Sequence, residues 1–122
     1  MTMSSMDNLL VGPDWTIRRL IQCVEANAHG IALVVDGERR LLATITDGDI
    51  RRAVLQGLDL SASIQELLAR KEPVLTITNG PLTAPAGADD VALLDLMRHH
   101  SVRHIPLLDG NGRVVGLSRI ED

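Results

Sequence analysis

The tetrapeptide Thr46-Asp47-Gly48-Asp49 carries the residue types with the most chemical reach in this chain. It falls between the apolar run Leu41-Leu42-Ala43-Thr44-Ile45 and the helical spacing of Ile50, Ala53, Val54 and Leu55. A helix start placed there exposes free main-chain N–H groups and partial positive charge, which suit a phosphate. Thr46 adds a hydroxyl. The Asp49 carboxylate offers two adjacent acceptors, the geometry that holds the vicinal diol of a ribose. Arg51 and Arg52, in the first turn, can neutralise phosphate charge. The same tetrapeptide is also a capping box, in which hydroxyl and carboxylate each satisfy the other's backbone N–H. That purely structural role accounts for it without any ligand.

Other chemistry has thinner support. His99, His100 and His104 invite a metal reading, but a helix-to-strand change falls between His100 and His104, and no cysteine joins them. Cys23 sits on or beside an apolar helical stripe and reads as a small core residue. Of the aspartates Asp36, Asp47, Asp49 and Asp109, two belong to turns, which leaves paired-carboxylate catalysis without a pair. There is no glycine-rich phosphate loop and no Ser-His-Asp arrangement. The chain reads as something other than an enzyme.

Composition narrows the partners. The 122 residues carry 12 Lys+Arg against 16 Asp+Glu, a net charge of -4, where a nucleic-acid binder needs a basic surplus. Trp15 is the only aromatic residue, so no platform exists for stacking bases. No apolar run approaches membrane-spanning length, and Met1 to Leu10 lacks the pattern of a secretory signal. One cysteine cannot form an internal disulfide, so a reducing cytoplasm is the expected compartment. Neither nucleic acid nor membrane is expected as a partner.

The elements that must position the tetrapeptide recur. Leu9-Leu10-Val11 reads as an opening strand. Ile17, Leu20, Ile21 and Val24 mark a helix that Gly30 ends, and Ile31 to Val35 is a buried strand. Asp36-Gly37 turns the chain into the strand Leu41 to Ile45. The second half repeats this order: a helix carrying Val91, Leu94 and Met97, the strand His104 to Leu108, a turn at Asp109-Gly110, and the strand Val114 to Leu117. From the first strand onward the halves superpose at an offset of 73, so Asp36 falls on Asp109, Arg40 on Arg113 and Asp49 on Asp122. The helices before those strands are expected to differ by one residue in length. Between the repeats, Ser63 to Leu68 forms a short amphipathic helix and Pro73 to Ile77 the edge strand that opens repeat two. Thr78 to Ala88 reads as loop. The fold class is α/β, two stacked βαββα units. We divide the chain into an extension (1–8), a first repeat (9–60), a connecting helix and linker (61–72) and a second repeat (73–122). Repeat two lacks its closing helix, which implies that it continues past Asp122 in a longer protein.

This order, with Thr-x-x-Asp after the third strand, resembles the cystathionine-β-synthase (CBS) domain, and the pair resembles a Bateman module over about Leu9 to Asp122. The family pattern Gly-h-h-[Ser/Thr]-x-x-Asp appears as Ala43-Thr44-Ile45-Thr46-Asp47-Gly48-Asp49 and as Gly116-Leu117-Ser118-Arg119-Ile120-Glu121-Asp122. Alanine replaces the first glycine, and Arg119 replaces the second hydroxyl residue. Val102-Arg103-His104-Ile105-Pro106 is similar to the family's strand-start motif. The resemblance implies that AMP, ADP or ATP binds in clefts between the repeats as a regulatory ligand, with no cofactor required. Site one would use Thr46 and Asp49, with Arg51 near phosphate and His29, Gly30, Ile31 and Ala32 lining the base. Site two would use Asp122, with Arg103, His104 and Arg119 near phosphate and Ile105 lining the base. The wording Ile45 to Arg52 is similar to CBS pairs attached to sugar-phosphate nucleotidyltransferases, and also to those on arabinose-5-phosphate isomerases. A pair placed first in its chain fits the nucleotidyltransferase arrangement. The resemblance further implies a homodimer and a catalytic domain in the same chain; a ligand-free dimerisation module is the alternative.

Overall fold

The computed structural model describes residues 8–70 and 82–119. Among the described residues ten elements follow one another: β1 (Leu10–Val11), α1 (Ile17–Asn27), β2 (Ile31–Val35), β3 (Leu41–Thr46), α2 (Asp47–Leu55), α3 (Ile64–Arg70), β4 (Ala84–Pro85), α4 (Asp90–His100), β5 (His104–Leu108) and β6 (Val114–Arg119). They form two three-stranded sheets, β1-β2-β3 and β4-β5-β6. In each, the first strand runs parallel to the second and the third returns antiparallel.

The offset of 73 extends further than the strands. α1 and α4 are both 11 residues long and start at Ile17 and Asp90. The expected difference in helix length is therefore corrected. Each ends on a left-handed residue, Ala28 (φ 60°) and Ser101 (φ 56°), also 73 apart. The β-bulges after Val34 and Leu107 obey the same offset. So does the opening strand of repeat two: Val11 pairs with Val34 and Ala84 with Leu107. Ala84–Pro85 thus lies inside the stretch expected to be loop, while Pro73 to Ile77 lies outside the described residues. A strand of two residues, one of them a proline that cannot donate, carries almost no propensity signal.

Local chemistry explains the helix limits. Thr46 and Thr16 act as N-caps, Thr16 Oγ1 accepting from the Arg19 N–H at 3.2 Å. Asp89 caps α4 by accepting from Val91 N–H at 2.8 Å. α3 docks beside the start of α1, where Ile17 N–H donates to Ala62 O at 2.9 Å and Ile64 N–H to Trp15 O at 2.8 Å. Ile21 is half-buried against the core of repeat one, to which Ile64 and Leu67 of α3 belong. At the equivalent position on α4, Leu94 is exposed, as is Val91. The buried stripe of α4 is Leu93 and Met97, equivalent to Leu20 and Val24, which corrects the expected stripe of Val91, Leu94 and Met97.

All five residues of β2 are buried because both faces of that strand are covered. Ala32 and Val34 face the first repeat's helices. Ile31, Leu33 and Val35 join Leu9 and Val114 in a separate cluster between the two sheets. A third cluster, of Ala84, Leu93, Met97 and Ile105, forms the core of repeat two.

Candidate functional site

β2 and β3 bring the two halves of site one side by side. Ile31 pairs with Thr46 and Ala32 with Ile45, so the residues that start β2 sit against the residues that start α2. The Asp47 N–H donates to Gly30 O at 3.1 Å, fastening the strand start to the helix start. Gly30 adopts φ +73°, and a Cβ there would stand 3.3 Å from Asp47 Oδ2. The backbone angle favours glycine at this position, and a Cβ would require the exposed Asp47 carboxylate to shift by a few tenths of an ångström.

The capping box is formed. Thr46 Oγ1 accepts from Asp49 N–H at 3.3 Å, and Asp49 Oδ2 accepts from Thr46 N–H at 3.0 Å. Arg52 Nη2 donates to Asp49 Oδ1 at 2.8 Å, and the Asp49 side chain is only 9% exposed. Arg52, rather than Arg51, is thus the arginine that meets the Asp49 carboxylate; Arg51 is exposed on α2.

A residue passed over by spacing alone organises the other wall. Asn27, the last residue of α1, is buried. Its Nδ2 donates to Asn8 O at 3.1 Å and to Ile31 O at 3.2 Å, while Oδ1 accepts from His29 N–H at 2.8 Å. The expectation that the helix runs to Gly30 hid this residue, because it placed Asn27 in a helix interior. No residue type signals it, because the left-handed residue that follows is an alanine. Cys23 lies nearby, half-buried, its thiol donating to the same Asn8 O at 3.0 Å. Burial pushes that thiol's pKa up, against weaker lowering by Asn27 and Arg19. A raised pKa opposes thiolate chemistry.

Of site two, the structure brings together His104 and Arg119, which pair across β5 and β6, with Ile105 fully buried beside them. Asp122 lies outside the described residues. The His104 ring lies beside His29, so residues assigned to different sites meet between the repeats. Burial first, then the His29 imidazole, hold His104 below the usual histidine pKa. Arg103 and Arg119 add to the lowering, and the nearby His29 main chain opposes it. The His99 and His100 rings meet edge-on at 4.9 Å, and among the described residues no three potential metal ligands cluster. No helix among the described residues is long and apolar enough to cross a membrane.

Two copies of one strand–helix–strand–strand unit, joined through their sheets and with a capped Thr-x-x-Asp motif at the start of α2, define a tandem-repeat α/β module. The CBS domain family model matches residues 3–56 and 71–122, and the chain belongs to the CBS domain family. In fold it is similar to a CBS domain protein from Pyrobaculum aerophilum complexed with AMP, with a TM-score of 0.74 at 26% identity, covering 91% of this chain and 79% of that one. It is 27% identical to inosine-5'-monophosphate dehydrogenase of Haemophilus influenzae over 110 residues, 90% of this chain and 20% of that enzyme. It is 29% identical to the arabinose 5-phosphate isomerase KpsF of Escherichia coli, over 89% of this chain and 31% of that enzyme. The chain thus spans less than a third of these curated relatives. Both belong to enzyme classes other than the nucleotidyltransferases, so the resemblance to nucleotidyltransferase-linked pairs finds no support in them.

Proposed function

We propose that this chain is a regulatory module that binds an adenosine nucleotide in the first cleft and modulates an enzyme to which it is attached. The observation that carries this reading is the junction of Ile31 with Thr46. It sets a main-chain wall from His29 to Ala32 beside a helix start bearing one hydroxyl and one carboxylate. The main chain offers polar groups to a base, the Asp49 carboxylate has the acceptor chemistry of a ribose-diol partner, and the positive end of the α2 dipole suits phosphate. The AMP-bound relative, similar over most of both chains, supports adenosine as the nucleoside.

The attached activity follows less closely from these residues. The similarity to an isomerase and a dehydrogenase of phosphorylated small molecules favours an enzyme acting on such a substrate, with the sugar-phosphate isomerase arrangement ahead of the nucleotidyltransferase one. No catalysis is assigned to the module itself. Differential scanning fluorimetry with AMP, ADP and ATP tests the binding. A rise in melting temperature that saturates with ligand supports the reading, and its absence with all three leaves a dimerisation module.

A further inference from the structure

We propose that Asn27 is a positioning residue of the first cleft, its side-chain amide fixing the His29–Ile31 main chain against which the nucleoside rests. The inference depends on the nucleotide reading above and adds a residue that touches no ligand.

The chain between α1 and β2 follows an improbable path. Ala28 and Gly30, with φ of 60° and 73°, flank His29, so two left-handed residues occur within three. Such a loop has many alternative conformations and needs an external restraint to hold one of them. Asn27 supplies it with one planar group. Its Oδ1 takes the His29 N–H, and its single nitrogen bridges the Asn8 carbonyl, ahead of β1, to the Ile31 carbonyl at the start of β2. Both amide hydrogens and the oxygen are engaged in a buried setting, where hydrogen bonds are directional and costly to lose. From there the restraint passes on, because Gly30 O accepts from the first N–H of α2. Asn27 therefore sets the spacing between the strand start and the Thr46–Asp49 helix start.

Repeat two lacks this device. The equivalent residue, 73 positions on, is His100, half-buried with its ring edge against His99. A neutral imidazole has one N–H and cannot donate to two carbonyls while accepting a third bond.

Isothermal titration of AMP into the 122-residue chain tests the role. The variants are Asn27→Ala, Asn27→His and, as a stability control, Leu93→Ala in the core of repeat two. Asn27→His imports the residue that repeat two already accommodates before a left-handed cap, so it decides the matter if Asn27→Ala fails to fold. Both Asn27 variants are expected to weaken AMP by about tenfold or more, the worth of one to two buried hydrogen bonds. Leu93→Ala should leave affinity within about twofold while lowering the melting temperature substantially. Amide exchange at Gly30 to Ala32 should speed up in the Asn27 variants by more than their loss of global stability accounts for, and in Leu93→Ala by no more than its own loss accounts for. Affinity in Asn27→His within about twofold of the unsubstituted chain, or no greater a loss than in Leu93→Ala, overturns the role of Asn27. Failure of the unsubstituted chain to bind AMP overturns the nucleotide reading itself and the positioning role with it.

Discussion

Arg40 and Arg113 pair with each other in an antiparallel bridge, and they are the same position of the two repeats. On either side Leu41 N–H donates to Gly112 O at 3.2 Å and Val114 N–H to Arg39 O at 2.9 Å, two bonds that the offset of 73 interchanges. A position paired with its own equivalent is what a two-fold contact requires, so a pseudo-two-fold axis passes between these arginines. Beneath the bridge, Val114 of repeat two completes the cluster of Leu9, Ile31, Leu33 and Val35. The repeats share a core there.

That shared core makes unfolding a joint event. Leu33 is fully buried in it, and Leu33→Ala should cost about 3 kcal/mol, by analogy with other buried leucines. Urea denaturation followed both by the Trp15 fluorescence and by circular dichroism should show one coincident transition moved to lower urea. Two separated transitions would mean that the repeats close their cores independently.

Gly30→Ala addresses the junction of strand start and helix start. The substitution places a Cβ at φ +73° and 3.3 Å from Asp47 Oδ2. A cost of about 1–2 kcal/mol is expected from the backbone strain alone. Thermal melts at neutral pH check it; an unchanged melting temperature would show that the tight approach is not maintained in solution.

His104 gives the module a pH dependence of defined sign. Its folded pKa lies below the usual 6.5, so the unfolded chain binds the proton more readily. Stability from this group is therefore complete above the unfolded value and lost as pH falls from there through the folded pKa. Melting temperature should drop between about pH 7 and pH 5, and His104→Gln should flatten that slope. The carboxylates of Asp36, Asp59 and Asp109, held down mainly by backbone N–H donors, lose their contributions only lower, as pH falls below the usual 3.8. A slope near neutrality that survives His104→Gln would point to another group.

The sequence made much of this legible because the repeat is written in turn chemistry. Asp36 and Asp109 each accept from two main-chain N–H groups of their turns, and such residues are recognisable without a structure. The capping box of Thr46 and Asp49 was equally plain. What stayed hidden were features set by tertiary contacts. Ala84–Pro85 is a strand only because β5 lies beside it. Val91 and Leu94 match a helical stripe, yet they are exposed because α4 has no counterpart of α3 against it among the described residues. Asn27 mattered through partners 19 and 4 residues away, which no local pattern reveals.

Those exposed residues motivate a self-association prediction. Val91 is 69% exposed on α4, and Leu55 is 80% exposed on α2. Apolar helix faces of this kind favour a partner surface, and a two-fold homodimer is the commonest way to supply one. Light scattering at micromolar concentration should give twice 13.2 kDa. Val91→Lys should shift the chain toward monomer, and a monomeric unsubstituted chain would contradict the prediction.

The most direct measurement for the nucleotide-sensing role is the ligand-dependent rise in melting temperature, compared between the unsubstituted chain, Asp49→Ala and Asp47→Ala. AMP at 100 times its dissociation constant adds about 2.7 kcal/mol to the folded state, which for a domain of this size is roughly 10 °C. Asp49→Ala removes half of the capping box and should cost about 1 kcal/mol whether or not nucleotide is present. Asp47 is exposed, and its replacement should keep most of the AMP-dependent rise. The predicted result is a rise of that size in the unsubstituted chain that Asp49→Ala abolishes. An equal rise in Asp49→Ala, or none with AMP, ADP or ATP in the unsubstituted chain, would contradict it.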